Sequence, residues 1–422
     1  MSKDRILILA DDLTGSNDTA IQFAKEGLQA LVLLKSEPVN WQSIKKYDCI
    51  SINFNSRVMS PDDAYKAVYC ALKNPELDCK EYFIYKKVDS VLRGNPGKEL
   101  AAVMDAAGIP LALAAPCFPA NKSVIENGML YSGGNTANGI DAVKVFAGGT
   151  GKKTENIPLK TVRQGAEAVG EFIKAHRASG IQVFVPDALS DEDLEIIYKA
   201  SAFIEGPYVL TGSAGLANQM AKRPGKAKTA SVKNNSFSGP VLLVAGTRQG
   251  ETAAQTEELL KAKQIKAIEF KVDMAANGKS AEAVDLAFKE ACQQMKSNNN
   301  LCVVIVDSMF KSRIKTGEVA WSSAEGGELG VLISQAMGTL SRKLLDEFGF
   351  SVLISTGGDT SMEICNELGV AGIEPLVEIS KGIPIGKIIG GDHEGRFIVT
   401  KSGRFGDQKT FITILDFLEG KF

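Results

Sequence analysis

Short apolar runs alternate with longer amphipathic stretches along most of the chain, and this alternation constrains the fold more than any other feature. The apolar runs are rich in Ile, Val and Leu, as in ILILA at residues 6–10 and VLLVA at residues 241–245. Runs of about four to eight such residues are typical of buried strands, and the stretches between them have helical periodicity. The pattern therefore predicts an α/β fold, with two α/β domains and largely parallel sheets.

The predicted elements share this composition and spacing. The predicted strands are residues 6–10, 30–34, 49–53, 82–86, 111–115, 182–185, 208–210, 241–245, 267–271, 302–306 and 351–354. The predicted helices are residues 17–26, 61–72, 99–107, 191–200, 252–263, 281–296 and 329–348.

One polar segment, residues 222–239, interrupts the alternation. It is rich in Lys, Ser, Asn and Gly and poor in large apolar residues. Such a composition predicts an interdomain linker, with a long surface loop inside one domain as the alternative. We therefore expect domains at residues 1–228 and 239–422, with the active site in the cleft between them.

Charge and cysteine content limit the functional classes. The 48 Lys and Arg nearly balance the 50 Asp and Glu, so no global basic field attracts nucleic acid or an anionic membrane. No apolar run is long enough to span a bilayer. Seven scattered cysteines without a CxxC pair, and two histidines, argue against a zinc site and suit reduced thiols in a cytoplasmic protein. The expected partner is a small molecule, and a homodimer is one option for assembly.

Two acids, Asp11 and Asp12, follow directly after the first predicted strand. In open α/β sheets ligands bind beyond the carboxyl ends of the strands, so one of these carboxylates could accept a proton from a substrate hydroxyl. The alternative is that they only cap the following helix, which is expected to start near Asn17. For Asp12 the two interpretations are equally supported, whereas for Asp11 we favour function.

A second motif, YKKVDSVLRGNPGKEL, follows the predicted strand at residues 82–86 and mixes cations with an acid and a hydroxyl. Its candidate residues are Lys86, Lys87, Val88, Asp89, Ser90 and Arg93. Cations that converge near a helix start are typical of a pocket for a small carboxylate. Arg57, after the third strand, could add a bidentate contact. A solvated charge run is the alternative.

Glycine-rich loops after strands mark the C-terminal half. One loop contains Ser355, Thr356, Gly357, Gly358 and Asp359, and others contain Thr247, Gln249 and Gly403. Consecutive glycines let backbone N–H groups approach phosphate oxygens, although the Walker A order of residues is absent. A further loop of this type lies at residues 211–217. Together these loops predict a nucleotide site.

In this order the motifs resemble the four-carbon acid sugar kinase family over nearly the whole chain. ADDLTGSNDTA and KKVDSVLRGNPGKEL are similar to its N-terminal signatures, and STGGDTS and TKSGRFG to its C-terminal ones. The resemblance implies an N-terminal domain that binds the sugar acid and a C-terminal domain that binds ATP. It places Asp11, Arg57 and the segment 86–89 at substrate positions. It places Gln249, the segment 355–358 and Gly403 at ATP positions.

The resemblance implies ATP-dependent phosphorylation of the terminal (C4) hydroxyl of a tetronate, with D-threonate favoured and D-erythronate or 3-oxo-tetronate as alternatives. Mg²⁺ is expected with ATP; its ligands are not identified, although Asp11 and Asp359 are candidates. Gln249 stands where many members carry a serine. Two alternatives belong to other functional classes. An NAD(P)-dependent oxidoreductase is expected to carry G-x-G-x-x-G after the first strand, and this motif is absent. A non-catalytic sugar-acid sensor would be supported by a DNA-binding helix pair, and the sequence shows no sign of one.

Overall fold

The fold is known from a computed structural model, which describes residues 5–35, 41–133, 135–222, 237, 239–296, 300–310 and 326–421. The chain divides into two compact units, Met1–Thr229 and Ala230–Phe422. Most of the predicted linker at residues 222–239 lies outside the described residues. Both units combine strands and helices around a largely parallel sheet, which confirms the predicted fold class.

The first unit contains a sheet of described strands that all run parallel to their neighbours. These strands are β1 (Arg5–Ala10), β2 (Ala30–Leu33), β3 (Cys49–Asn53), β4 (Tyr82–Lys87), β5 (Leu111–Ala115), β9 (Thr154–Ile157), β10 (Val183–Pro186) and β11 (Tyr208–Gly212). Their order across the sheet is β2-β3-β1-β4-β11-β5-β10-β9. The central strands are buried along their length because a parallel sheet is covered by helices on both faces.

Helices and a small antiparallel sheet surround these strands. The helices are α1 (Leu13–Lys25), α2 (Trp41–Ile44), α3 (Pro61–Leu72), α4 (Pro96–Ala107), α5 (Ala142–Thr150), α6 (Leu159–Val162), α7 (Ala166–Arg177), α8 (Asp191–Ala200) and α9 (Ala214–Ala221). The small sheet consists of β6 (Ser123–Glu126), β7 (Met129–Ser132) and β8 (Asn135–Asp141).

Local sequence signals account for several helix ends. Ser60 accepts a hydrogen bond from the Asp63 backbone before Pro61 starts α3, and Ser190 forms a capping box with Asp193 at the start of α8. Gly108 follows the end of α4, and its φ of 64° is the left-handed conformation found at many helix ends.

The second unit is also α/β, with a sheet that is parallel at one side and antiparallel at the other. Its strands are β12 (Val241–Ala245), β13 (Ile268–Phe270), β14 (Leu301–Val306), β15 (Val352–Thr356), β16 (Gly372–Ser380), β17 (Ile383–Ile389) and β18 (Phe397–Lys401). Their order is β13-β14-β12-β15-β18-β17-β16, with antiparallel pairing of β17 to both of its neighbours. Its helices are α10 (Gly250–Lys263), α11 (Val272–Ala276), α12 (Ser280–Met295), α13 (Gly326–Phe348), α14 (Gly358–Glu367) and α15 (Thr410–Leu418).

Three differences from the sequence-based prediction matter for the site. Helix α1 begins at Leu13 and not near Asn17, because Asp12 caps it and starts the helix one turn earlier. Residues 211–217, predicted as a further phosphate loop of the C-terminal half, belong to the first unit, where they form the end of β11, Ser213 and the start of α9. The hairpin of β16 and β17 was not predicted. No helix among the described residues is long and apolar enough to cross a membrane.

Candidate active site

The polar motifs of the first unit meet at the carboxyl edge of its sheet. β1 lies between β3 and β4, and its last residue, Ala10, pairs with Asn53 on one side and Lys87 on the other. The three loops that follow these strands carry Asp11, Arg57 and Asp89. The topology therefore brings together residues that are far apart in sequence, as expected at the ligand-binding edge of an open α/β sheet.

Arg57 is the centre of a cluster of acids. Its Nε donates to Asp11 Oδ2 at 2.8 Å, its Nη1 donates to Asp12 Oδ2 at 2.9 Å, and its Nη2 lies 3.5 Å from Asp89 Oδ2. Because the guanidinium is shared among three protein carboxylates, a bidentate contact with a substrate carboxylate would have to displace one of them. The guanidinium therefore links its own loop to the other two through their acids.

The neighbouring acids Asp11 and Asp12 differ in which of their oxygens have partners. Asp12 Oδ1 accepts from the backbone of Gly15 at 2.9 Å and its Oδ2 accepts from Arg57, so both oxygens serve the helix cap and the arginine. Asp11 Oδ2 also accepts from Arg57, but its buried Oδ1 has no hydrogen-bond partner among the described residues. A buried acceptor without a donor is costly, so Asp11 Oδ1 is a candidate acceptor for a ligand.

The electrostatic surroundings also distinguish the two acids, because the pKa of Asp11 is lowered and that of Asp12 is raised. Burial opposes ionisation of Asp11, but Arg57, Lys87 and Lys86 outweigh it and lower the Asp11 pKa to about 2. Burial raises the pKa of Asp12, and the nearby Asp11 carboxylate adds to this effect although Arg57 opposes it. Asp11 is therefore a carboxylate at neutral pH.

The two lysines that end β4 serve opposite faces of the sheet, as successive strand residues do. Lys87 donates from Nζ to the carbonyl oxygen of Val88 at 2.7 Å, and a Cβ placed on Gly15 of α1 would lie only 2.9 Å from this nitrogen. An ammonium has three donors, so Lys87 keeps capacity for an anionic ligand beside Asp11.

Lys86 turns to the other face and is fully buried. Its Nζ donates to the carbonyl oxygens of Leu9 at 3.0 Å and Lys87 at 2.6 Å, and lies 2.5 Å from Glu99 Oε2. The predicted contact of the Lys86 ammonium with substrate therefore competes with three protein oxygens. Glu99 itself was not predicted from the sequence.

The remaining residues of the second motif form its outer part. Asp89 Oδ1 accepts from the backbone of Val91 at 2.7 Å, and Asp89 Oδ2 accepts from Arg93 Nε at 2.7 Å. The Arg93 side chain is half exposed, so it is an accessible cation beside Asp89. Val88 and Ser90 form hydrogen bonds through backbone atoms. The Val88 N–H donates to the Gly212 carbonyl oxygen, and the Ser90 carbonyl oxygen accepts from the Ser123 hydroxyl.

In the second unit, three loops leave the sheet at one edge. β15 lies between β12 and β18, and Thr356 pairs with Ala245 on one side and Lys401 on the other. Helix α10 then starts after Gln249 and α14 after Gly357, and neither helix start is capped by the side chain of that residue. Two uncapped helix starts at one edge present backbone N–H groups and positive dipole ends, which suit phosphate.

The loops of this edge touch each other. A Cβ on Gly403 would lie 2.8 Å from both Gln249 Cγ and Thr247 Oγ1, so a larger residue would force these two side chains to shift. The Gln249 side chain also accepts from Arg404 Nε at 3.3 Å. The predicted nucleotide residues Thr247, Gln249, Gly357 and Gly403 are thus neighbours.

The other predicted nucleotide residues divide into buried and exposed ones. Ser355 and Thr356 are buried; the Ser355 hydroxyl lies 2.8 Å from that of Ser361 and the Thr356 hydroxyl 3.5 Å from that of Thr252. Gly358 opens α14, and Asp359 is exposed in its first turn.

Lys401 at the end of β18 is buried and donates hydrogen bonds to residues of these loops. The sequence analysis did not select it as a site residue. Its buried Nζ donates to Thr252 Oγ1 at 3.2 Å and to the carbonyl oxygens of Ser402 at 2.8 Å and Phe405 at 3.2 Å. Thr252 in turn donates to the Gly403 carbonyl at 2.8 Å. Burial lowers the pKa of Lys401 to about 7, with Glu251 opposing the shift.

This pKa predicts a pH dependence of stability. Between pH 7 and 10.5 the unfolded chain keeps a proton on Lys401 that the folded protein releases, so this lysine makes the free energy of unfolding rise with pH in that window. Lys401→Met should flatten the rise, measured by urea unfolding at pH 7, 8 and 9. Lys279→Met removes an exposed lysine of the same unit and should leave the rise intact; equal slopes in all three proteins would contradict the assignment.

A preformed metal centre of protein ligands is not part of this arrangement. Within the described ranges, no group of three or more His, Cys, Asp and Glu side chains is placed to hold a metal ion. Mg²⁺ that accompanies a nucleotide needs only one or two carboxylates besides phosphate oxygens, and the exposed Asp359 beside the α14 start fits that lesser requirement.

Comparison with known proteins gives two family models that match this chain. A model described as a sugar-binding N-terminal domain matches residues 6–220, and one described as a nucleotide-binding C-terminal domain matches residues 242–411.

Curated relatives match over nearly the full length. A D-threonate kinase of Salmonella typhimurium is 26% identical over 428 residues, which cover 98% of each chain. A D-erythronate kinase of Heliobacterium modesticaldum is 27% identical, covering 98% of this chain and 97% of the relative. A 3-oxo-tetronate kinase of Burkholderia multivorans is 27% identical with the same coverage. Among solved structures, a Haemophilus influenzae protein shares the fold, with a TM-score of 0.69, 24% identity and coverage of 99% of this chain and 100% of that one.

Proposed function

Because the chain belongs to the four-carbon acid sugar kinase family, we propose that it transfers the γ-phosphoryl group of ATP to the terminal (C4) hydroxyl of a tetronate. D-Threonate is the first candidate, and D-erythronate and 3-oxo-tetronate are the alternatives that the relatives support. The kinases among the relatives support this class over the oxidoreductase or sensor that the sequence analysis left open.

The observation that carries the proposal is the buried, ionised Asp11 with one unpartnered oxygen. Such an oxygen can accept a hydrogen bond from the hydroxyl that attacks phosphorus, which aligns the lone pair of the nucleophile. Phosphoryl transfer needs mainly positioning and charge neutralisation, so a carboxylate of low pKa suffices as an orienting acceptor.

The other end of the substrate is a carboxylate, which needs cations. Lys87 retains donors next to Asp11, and Arg93 is half exposed at the outer side of the same cluster. We assign Lys87 and Arg93 to the substrate carboxylate and Arg57 to the orientation of the acids.

Phosphates of the substrate ATP would bind at the uncapped starts of α10 and α14, next to Thr247, Gln249, Gly357 and Gly403. Mg²⁺ would be held by ATP phosphates with Asp359 as the candidate protein ligand. When bound, it neutralises charge on the transferring phosphoryl group.

A coupled ADP-release assay tests the function. The purified protein with ATP and Mg²⁺ is offered D-threonate, L-threonate, D-erythronate and 3-oxo-tetronate, and the highest kcat/KM is expected for D-threonate. A higher value for another tetronate would correct the substrate, and no ADP release with any of them would refute the kinase proposal.

Arg93→Ala should act mainly on substrate affinity. A charge-assisted contact contributes about 1.5–3 kcal/mol, so KM for the tetronate should rise roughly 10-fold or more while kcat changes little. Arg177→Ala removes an exposed arginine of the same unit, at the end of α7, and is the matched control. An unchanged KM would show that the substrate carboxylate lies elsewhere.

A further inference from the structure

A buried ion pair lies on the face of the sheet opposite Asp12 and helix α1. Glu99 in the first turn of α4 and Lys86 at the end of β4 are both fully buried, with Nζ and Oε2 2.5 Å apart. Burying such a pair costs desolvation energy, so the pair is weak evidence for stability by itself. Its contacts point to another function.

Glu99 Oε1 and Lys86 Nζ each bond to segments that carry residues of the proposed site. Glu99 Oε1 accepts from the Ser56 hydroxyl at 2.9 Å, and Ser56 precedes Arg57. Lys86 Nζ holds the carbonyl oxygens of Leu9 and Lys87, each two residues before an acid of the cluster. The segments that precede Asp11, Arg57 and Asp89 therefore all form hydrogen bonds with the same buried ion pair.

The start of α4 holds the Arg57 turn at two further points. Asn95, the residue before the helix, donates from Nδ2 to the carbonyl oxygens of Ser56 at 3.1 Å and Met59 at 3.0 Å. With the Ser56–Glu99 bond, this turn is fixed to α4 on both sides of Arg57. The position of the guanidinium, and with it the orientation of Asp11, then depends on α4.

We propose that Glu99 is a positioning residue of the kinase site, which acts through Ser56 and Lys86 to hold Arg57 and Asp11 in their reactive geometry. The proposal rests on the proposed function. Positioning matters because a displacement of about 1 Å at reacting groups can lower a rate about 10²-fold.

Two variants test the proposal by kinetics. Glu99→Gln should lower kcat/KM for the tetronate by roughly 10- to 10²-fold, with the larger part in kcat, and leave KM for ATP within about twofold. Ser56→Ala removes only one hydroxyl and keeps the ion pair, so it should fold even if Glu99→Gln does not, and lower kcat/KM by roughly 10-fold. The control Glu167→Gln removes an exposed acid from α7 and should match the wild type. A kcat/KM within twofold of wild type in Ser56→Ala or Glu99→Gln would overturn the proposal.

A double variant separates positioning from stability. Lys86→Met with Glu99→Gln removes both charges, and replacing a buried pair by neutral groups is often tolerated. We expect a Tm closer to wild type than that of Glu99→Gln, while kcat/KM stays low. Recovery of kcat/KM together with Tm would mean that the pair only stabilises the fold, and would overturn the proposal.

Hydrogen exchange measured by mass spectrometry gives a readout that does not depend on activity. Glu99→Gln and Ser56→Ala should speed exchange in peptides that cover residues 54–60, and Glu167→Gln should not. Unchanged exchange would contradict the network. If the wild type releases no ADP with any tetronate, the proposed function fails, whereas the exchange result still decides whether Glu99 holds the Arg57 turn.

Discussion

Asp11→Asn is expected to lower kcat for the tetronate by roughly 10²-fold or more, the size of the effect when a reacting group is no longer held in position. Asparagine keeps the size of the side chain but removes the charge. Asparagine also has only one side-chain oxygen, so it cannot accept from Arg57 and from the substrate hydroxyl with separate oxygens, as Asp11 can. Tetronate affinity should change much less, because Lys87 and Arg93 remain.

Asp12→Asn is the matched control for this prediction. Both oxygens of Asp12 are already used, by the backbone of Gly15 and by Arg57, and asparagine is itself a good helix cap. We expect a clearly smaller fall in kcat than for Asp11→Asn. Equal losses in the two variants would show that the unpartnered Asp11 oxygen is not the acceptor.

The pH dependence of the reaction gives a second check on Asp11. Its folded pKa of about 2 means that the carboxylate stays ionised across the working range. No fall of kcat between pH 8 and pH 5 should therefore come from this group. If such a fall is present in the wild type and absent in Asp11→Asn, the low pKa assigned to Asp11 is wrong.

The sequence predicts those features of the site that depend on neighbouring residues, and it does not predict those that depend on contacts between distant residues. Asp11 comes directly after an apolar strand, so its place at the sheet edge could be inferred from neighbouring residues alone. The separate environments of Lys86 and Lys87 could not, because they depend on whether Lys87 still belongs to the strand and on the distant residues that pack on each face. The predicted strand stopped at Lys86, whereas the structure continues β4 to Lys87. Because Lys87 still belongs to the strand, its side chain points to the face opposite that of Lys86.

Glu99 and Lys401 show the other limit. Glu99 bonds to Ser56, 43 positions away, and nothing in its own segment distinguishes an acid that faces the protein interior from one that faces solvent in the first helical turn. Lys401 lies in a recognised loop motif, but its function depends on Thr252 and Phe405, which only the fold brings to it. The β16–β17 hairpin was not predicted because prolines and charged residues interrupt its apolar pattern.

Gly357→Val is expected to weaken ATP binding by about 10²-fold or more. A new Cβ would lie 3.4 Å from Thr247 Cβ and 3.6 Å from Thr360 Oγ1, so the side chain would fill the space between the α10 and α14 loops. Loss of two phosphate contacts of about 1.5 kcal/mol each corresponds to roughly 10²-fold in affinity. Tetronate binding without ATP should survive, because its proposed residues belong to the first unit.

Backbone strain is the competing explanation, because Gly357 has a φ of 102°, a conformation that valine rarely adopts. Gly349→Val is the matched control: Gly349 also has a positive φ, 64°, with nothing within 4 Å of a new Cβ, and it precedes β15 whereas Gly357 follows it. Both variants should lose stability, but only Gly357→Val should lose ATP affinity in isothermal titration of the folded protein. Equal ATP affinities in the two variants would assign the effect to strain and remove the Gly357 loop from the nucleotide site.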